Sequence, residues 1–170
     1  LWAERILTRY SMPREDFPGT GGQLARHLLT LLNMPQVKVE VTELGDHYDP
    51  QTKTVRLSQK YWSGKSLSAL VVAAHEVGHA IQDYSGYQPL AVRTKLVSMT
   101  RTAEKAGVIL MMALPIVAIL GHRPFLGILT FLVGFASLSS SVVVHLITLP
   151  VEWDASFRRA LPILAKGHYL

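Results

Sequence analysis

The seventeen residues from Ser66 to Gln82 restrict this chain more than any other stretch, because they run Ser-Leu-Ser-Ala-Leu-Val-Val-Ala-Ala-His-Glu-Val-Gly-His-Ala-Ile-Gln. The run is apolar, rich in Ala and Val, and carries H-E-x-x-H. Residues four apart on an α-helix lie one above the other on the same face. A helix here therefore points the imidazoles of His75 and His79 at one point, with Glu76 one step round beside it. Two imidazoles on a metal ion, one coordination position left for water and a carboxylate as general base form a hydrolytic centre. The bland reading is a pair of surface histidines.

The chain has 170 residues, enough for one domain of ordinary size. It is 49% hydrophobic and only 17% charged, against about 25% in ordinary domains. The charges thin out between Gly107 and Val151. The net charge of +5 points to nucleic acid or to anionic lipid. With two apolar runs present and no aromatic–basic interleaving of the kind that stacks bases, lipid is the expected partner and nucleic acid is not. There is no cysteine, so a metal must be held by His, Asp or Glu. Leu1-Trp2-Ala3-Glu4-Arg5 reads like the exit from a membrane segment, and a span upstream of it is expected.

In chain order, Asp16 to Gly22 is turn chemistry, and Thr20 caps a helix from Gly21 to Asn33 with Leu24, Leu28, Leu31 and Leu32 as its apolar stripe. Val37-Lys38-Val39-Glu40-Val41 alternates as a half-buried strand. Asp46-His47-Tyr48 and Thr54-Val55-Arg56-Leu57 supply two more, so a three-stranded antiparallel meander is expected to lead into the H-E-x-x-H helix, with Ser66 as its N-cap. An exposed strand edge there can hold an extended peptide. His47 and Tyr48 read either as substrate contacts or as a polar hairpin tip.

An amphipathic helix follows from Leu90 to Lys105. Ala106 to Gly121 then gives 16 uncharged residues, and after the turn Gly121-His122-Arg123-Pro124 the run from Leu126 to Leu149 gives 24 without an acid, Lys or Arg. The expectation is a transmembrane hairpin over 106–149. Basic residues on both flanks (Arg93, Lys95, Arg101 and Lys105 before it, Arg158, Arg159 and Lys166 after) place both ends, and the catalytic side, in the cytoplasm. His145 interrupts the second run and reads as a residue supporting the site or as one that only hydrogen-bonds Thr148.

A third ligand remains to be found. Ser85 stands where a metzincin needs its third histidine, which excludes that arrangement. Glu104 is at a suitable distance in sequence but suits an ion pair with Arg101 or Lys105. Two spans would return the chain to the side it left, which selects Glu152 in Leu149-Pro150-Val151-Glu152-Trp153-Asp154-Ala155-Ser156. Asp154, about 200° away on a helix, cannot share the ion and is left to orient a ligand histidine. A surface pair of Glu152 with Arg158 or Arg159 is the alternative.

D-H-Y-D-P (46–50), A-A-H-E-V-G-H-A-I-Q (73–82) and L-P-V-E-W-D-A-S (149–156), in this order and spacing, resemble the membrane-bound neutral zinc metallopeptidases of the bacterial YugP type. The resemblance covers nearly the whole chain. It implies a membrane-anchored gluzincin-like peptidase with one Zn²⁺ on His75, His79 and Glu152, Glu76 as base, and further hydrophobic sequence beyond both ends. Gluzincins of similar layout carry Asp four residues after the ligand Glu, where this chain has Ser156.

The expected fold is thus α+β: a mainly helical zincin-like part over 1–105 with a small antiparallel sheet, the transmembrane hairpin over 106–149, and a helix over 150–170 returning the third ligand. The expected function is a membrane-anchored zinc metalloendopeptidase of the bacterial inner membrane, acting on peptide or protein and open to a membrane partner subunit. A metal-bearing adaptor or scaffold without turnover is the rival.

Overall fold

The computed structural model describes residues 2–121 and 124–169. Two compact units result, one of Leu1–Tyr87 with Glu152–Leu170 and one of Gln88–Val151.

In the first unit, α1 (Trp2–Arg9) buries no side chain. It is tied down by Ser68, whose hydroxyl donates to the Leu7 carbonyl at 2.6 Å. A capping box opens α2 (Gly21–Leu31): the Gln23 amide donates to the Thr20 hydroxyl, and the Thr20 amide donates to the Gln23 side chain. Leu24, Ala25, Leu28 and Leu29 turn into the core, while Leu31 faces out. The helix stops two residues before the expected Asn33, which takes a left-handed φ of 53°.

The strands are β1 (Lys38–Thr42), β2 (His47–Asp49) and β3 (Thr54–Ser58), in the order β1-β3-β2. This corrects the expected meander, since β1 pairs with β3 in parallel and only β2 pairs antiparallel to it. The physical reason is burial. Val55 and Leu57 of β3 are wholly buried and take the centre, while β1 has a largely exposed pattern suited to an edge. The chain crosses the end of β3 between β1 and β2, where Asp46 accepts from both the backbone amide and the hydroxyl of Ser58, at 2.7 and 3.0 Å.

After the short α3 (Gln59–Trp62) comes α4 (Leu67–Tyr84), capped by Ser66, whose hydroxyl accepts from the Ala69 amide. Its buried face meets α2, β3 and a C-terminal segment, around a core that includes Leu28, Met34, Val55, Leu57, Ala73 and Val77. That segment begins as the last residues of α6 (Pro124–Trp153), widens into a π-helix (Asp154–Ala160), and ends as α7 (Leu161–Lys166). At Gly78 the approach is so close that an added Cβ would sit 2.7 Å from the Ala155 carbonyl oxygen.

The second unit holds α5 (Gln88–Gly121) and α6 up to Val151. Within it Gly134 is buried, and a Cβ there would meet the Met111 side chain at 2.8 Å. Many large apolar side chains are exposed, among them Ile109, Met112, Phe125, Phe135 and Leu146. Among the described residues no helix is long and apolar enough to cross a membrane, which overturns the expected transmembrane hairpin. A membrane-crossing helix must be apolar over about 17–25 residues, which a stretch free of charge does not by itself ensure. The apolar part of α5 shares its helix with Arg93, Lys95, Glu104 and Lys105. The expected turn falls partly on residues 122 and 123, outside the described residues.

Two predictions follow from this packing. Gly78→Ala should push the π-helix off α4 and cost about 1–3 kcal/mol in urea unfolding, because both sides of the contact are backbone or Cβ. The second concerns Asp49, which accepts from Arg56 Nη1 and the Thr52 hydroxyl, each at 2.8 Å, and from the Gln51 amide. The Arg56 guanidinium holds its carboxyl down at about 2. A depressed carboxyl stabilises the fold above its unfolded value near 3.9 and loses that contribution as pH falls toward 2. Asp49→Asn should therefore cost about 1–2 kcal/mol at pH 7, and the difference from wild type should shrink between about pH 4 and pH 2.

Candidate metal centre

His75 and His79 lie one turn apart on α4, with ring centroids 4.7 Å apart and planes nearly perpendicular. Both Nε2 atoms meet the same oxygen of Glu152, Oε2, at 3.2 Å from His75 and 3.3 Å from His79. Among the described residues these three form the cluster able to hold a metal ion. All three ligand atoms lie within 4.8 Å of one another, and the two separations from Glu152 match those around zinc. Ligand atoms roughly 2.0–2.1 Å from a tetrahedral ion stand about 3.3 Å from each other, and imidazole and carboxylate are ordinary zinc donors.

Each histidine is held from behind. The Ser156 hydroxyl stands 3.0 Å from His75 Nδ1, and the side-chain oxygen of Gln82 stands 2.9 Å from His79 Nδ1. Asp154, next along the π-helix, accepts from Gln82 Nε2 at 2.9 Å and from Arg159 Nε at 2.7 Å through the same oxygen, Oδ2. Burial alone would raise the Asp154 carboxyl, but these two donors and the nearby Arg158 charge outweigh it and hold it below its ordinary value. The Arg159 guanidinium also lies over the Tyr87 ring, 5.6 Å from its centroid.

Glu76 is buried beside the pair. Burial pushes its carboxyl above the ordinary value, the His75 and His79 imidazoles offset part of that, and the charges of Asp46 and Glu152 add to it. His79 is buried, whereas the side chains of His75 and Glu152 are 26% and 35% exposed, so solvent reaches the centre from their side.

The remaining candidates stand elsewhere. The Tyr48 hydroxyl donates to Asp83 at 2.6 Å, sharing that oxygen with Lys53 Nζ, and burial and the Asp83 charge push the phenol far up. His47 Nδ1 lies 2.8 Å from the Gly45 carbonyl. His145 belongs to the second unit and is exposed, and its backbone carbonyl accepts from the Thr148 hydroxyl. Asp154 reaches His79 only through Gln82. Sequence reasoning passed over Gln82 and left Ser156 without a role. Their spacing gave a signal for both: Gln82 is one helical turn past His79, and Ser156 one turn past Glu152.

A family described as "Putative neutral zinc metallopeptidase" matches residues 1–170. The chain belongs to that family. It is also 35% identical over 161 residues to a Bacillus subtilis (strain 168) protein named "Putative membrane protease YugP", covering 94% of this chain and 68% of that protein. No solved structure matches. The cluster of His75, His79 and Glu152 could hold the metal ion that the family's description implies. Ser156→Ala removes the hydroxyl from His75 and should weaken zinc binding up to about tenfold, measured by competition with a chromogenic chelator.

Proposed function

We propose that the chain is a membrane-associated zinc metalloendopeptidase with Glu76 as its general base. The observation that carries this reading is the convergence of His75, His79 and Glu152 within bonding reach of one ion, with a buried carboxyl on the same helix beside them. Zinc held by these three residues supplies a Lewis acid for a peptide carbonyl and a water made acidic near neutral pH. The chain's own groups do the rest. Glu76 takes the proton of the attacking water and gives it to the leaving nitrogen as the peptide bond breaks. Burial pushes its carboxyl above the ordinary value, the direction that favours taking up the proton. Ser156 and Gln82 keep the two rings aimed at the ion.

The exposed side of His75 and Glu152 is the entry for substrate. β2 is an edge strand packed on α4, and its backbone is the candidate to align an extended peptide. Association with a membrane is supported by the relative's name and by the exposed apolar side chains of the second unit.

The test is Glu76→Gln. Zinc content by elemental analysis should stay at one ion per chain while cleavage of an unfolded protein substrate falls by at least ~100-fold. Full cleavage by that variant, or a wild-type chain that takes up no zinc, overturns the reading.

A further inference from the structure

The two histidines are backed by different chemistry. His75 faces a hydroxyl, which can donate or accept, whereas His79 faces a carboxamide whose direction is set by its neighbours. We propose that Gln82, oriented by Asp154 and Arg159, is a positioning residue that fixes His79 in the tautomer with its proton on Nδ1 and a bare Nε2 turned to the metal position. The inference rests on the metallopeptidase reading, in which His79 is a ligand, and adds to it the device that prepares that ligand before the ion arrives.

The Arg159 guanidinium only donates, and it donates to Asp154 Oδ2 at 2.7 Å. The carboxylate only accepts, so the Gln82 group facing the same oxygen at 2.9 Å is the amide NH₂. The other end of the amide, an oxygen, then faces His79 Nδ1 at 2.9 Å and can only accept, which requires the proton on Nδ1. A histidine that binds a metal is a neutral ring with one N–H, so with the proton on Nδ1 it is Nε2 that presents a lone pair. In that tautomer the lone pair faces Glu152 Oε2, which stands 3.3 Å from Nε2. Two acceptors held face to face repel each other, and a cation between them turns the repulsion into two bonds. Gln82, His79 and Asp154 are all buried, so water does not compete for these contacts and the amide has no solvent-facing alternative. The π-helix contributes by its wider turn, which brings residues five apart, Asp154 and Arg159, onto one face.

Two measurements decide it. In zinc-free wild-type protein labelled with ¹⁵N-histidine, recorded at a pH where the His79 ring carries a single proton, its two-bond ¹H–¹⁵N pattern, assigned by its loss in His79→Ala, should show that proton on Nδ1 and a bare Nε2. Zinc affinity, read by competition with a chromogenic chelator, should fall about 10–100-fold in Gln82→Met and in Asp154→Ala. Asp154→Asn should recover most of that affinity, because one oxygen accepts both bonds and an Asn oxygen at the Oδ2 position still receives Gln82 and Arg159. A neutral ring with its single proton on Nε2 in the wild type, undiminished zinc affinity in Gln82→Met, or an Asp154→Asn variant as weak as Asp154→Ala each overturns the relay. Should Gln82→Met fail to fold, the wild-type tautomer decides alone. A wild-type chain without zinc affinity defeats the metallopeptidase reading itself, whereas a zinc-binding wild type with an indifferent Gln82→Met defeats only the relay.

Discussion

The centre depends on how closely two backbones approach. At Gly78, between the two histidines of α4, the helix surface has no side chain, and the carbonyl of Ala155 fills the space a Cβ would occupy. Close packing of this kind leaves no slack, so the register of the π-helix against α4 is set to a fraction of an ångström. Asp154 and Ser156 flank Ala155, Glu152 lies three residues before it, and all three inherit that register. All three then face α4 partners: the Nε2 atoms of both histidines, Gln82 and His75 Nδ1. A looser contact would carry the three side chains away together.

The same interface is polar where most cores are apolar. A buried amide, carboxylate and imidazole are each costly to desolvate unless every partner is in place. Here they satisfy one another in a line that ends on a guanidinium, with Arg159 seated over Tyr87. The apolar core holds α4 against α2 and β3 and, through Ala160 and Leu164, against the C-terminal segment that carries the ligands. His75 and Glu152 are partly open to solvent, while His79 is shut away.

The second unit shows what a count of charges leaves out. Its two helices expose many large apolar side chains, yet none among the described residues is long and apolar enough to cross a membrane. The sheet shows the same limit at shorter range. Alternation in Val37 to Val41 marks a strand but carries no information about which neighbour it pairs with, so a parallel β1–β3 pair and an antiparallel pair read alike. The decision lay with the burial of Val55 and Leu57 and with Asp46 bridging to Ser58 across the end of the sheet.

What the amino-acid order determined alone is local. The i, i+4 spacing puts His75 and His79 on one helix face, Ser66 caps that helix, and Thr20 with Gln23 caps another, because such bonds close within four residues of backbone whose geometry is the same everywhere. What only tertiary structure decided is the set of partners seventy or eighty positions away: Glu152 between the two rings, Ser156 behind His75, and Asp154 reaching His79 through Gln82. Those contacts depend on the packing of one helix against another and on the π-helical turn that follows Trp153, and neither leaves a periodic trace in the sequence.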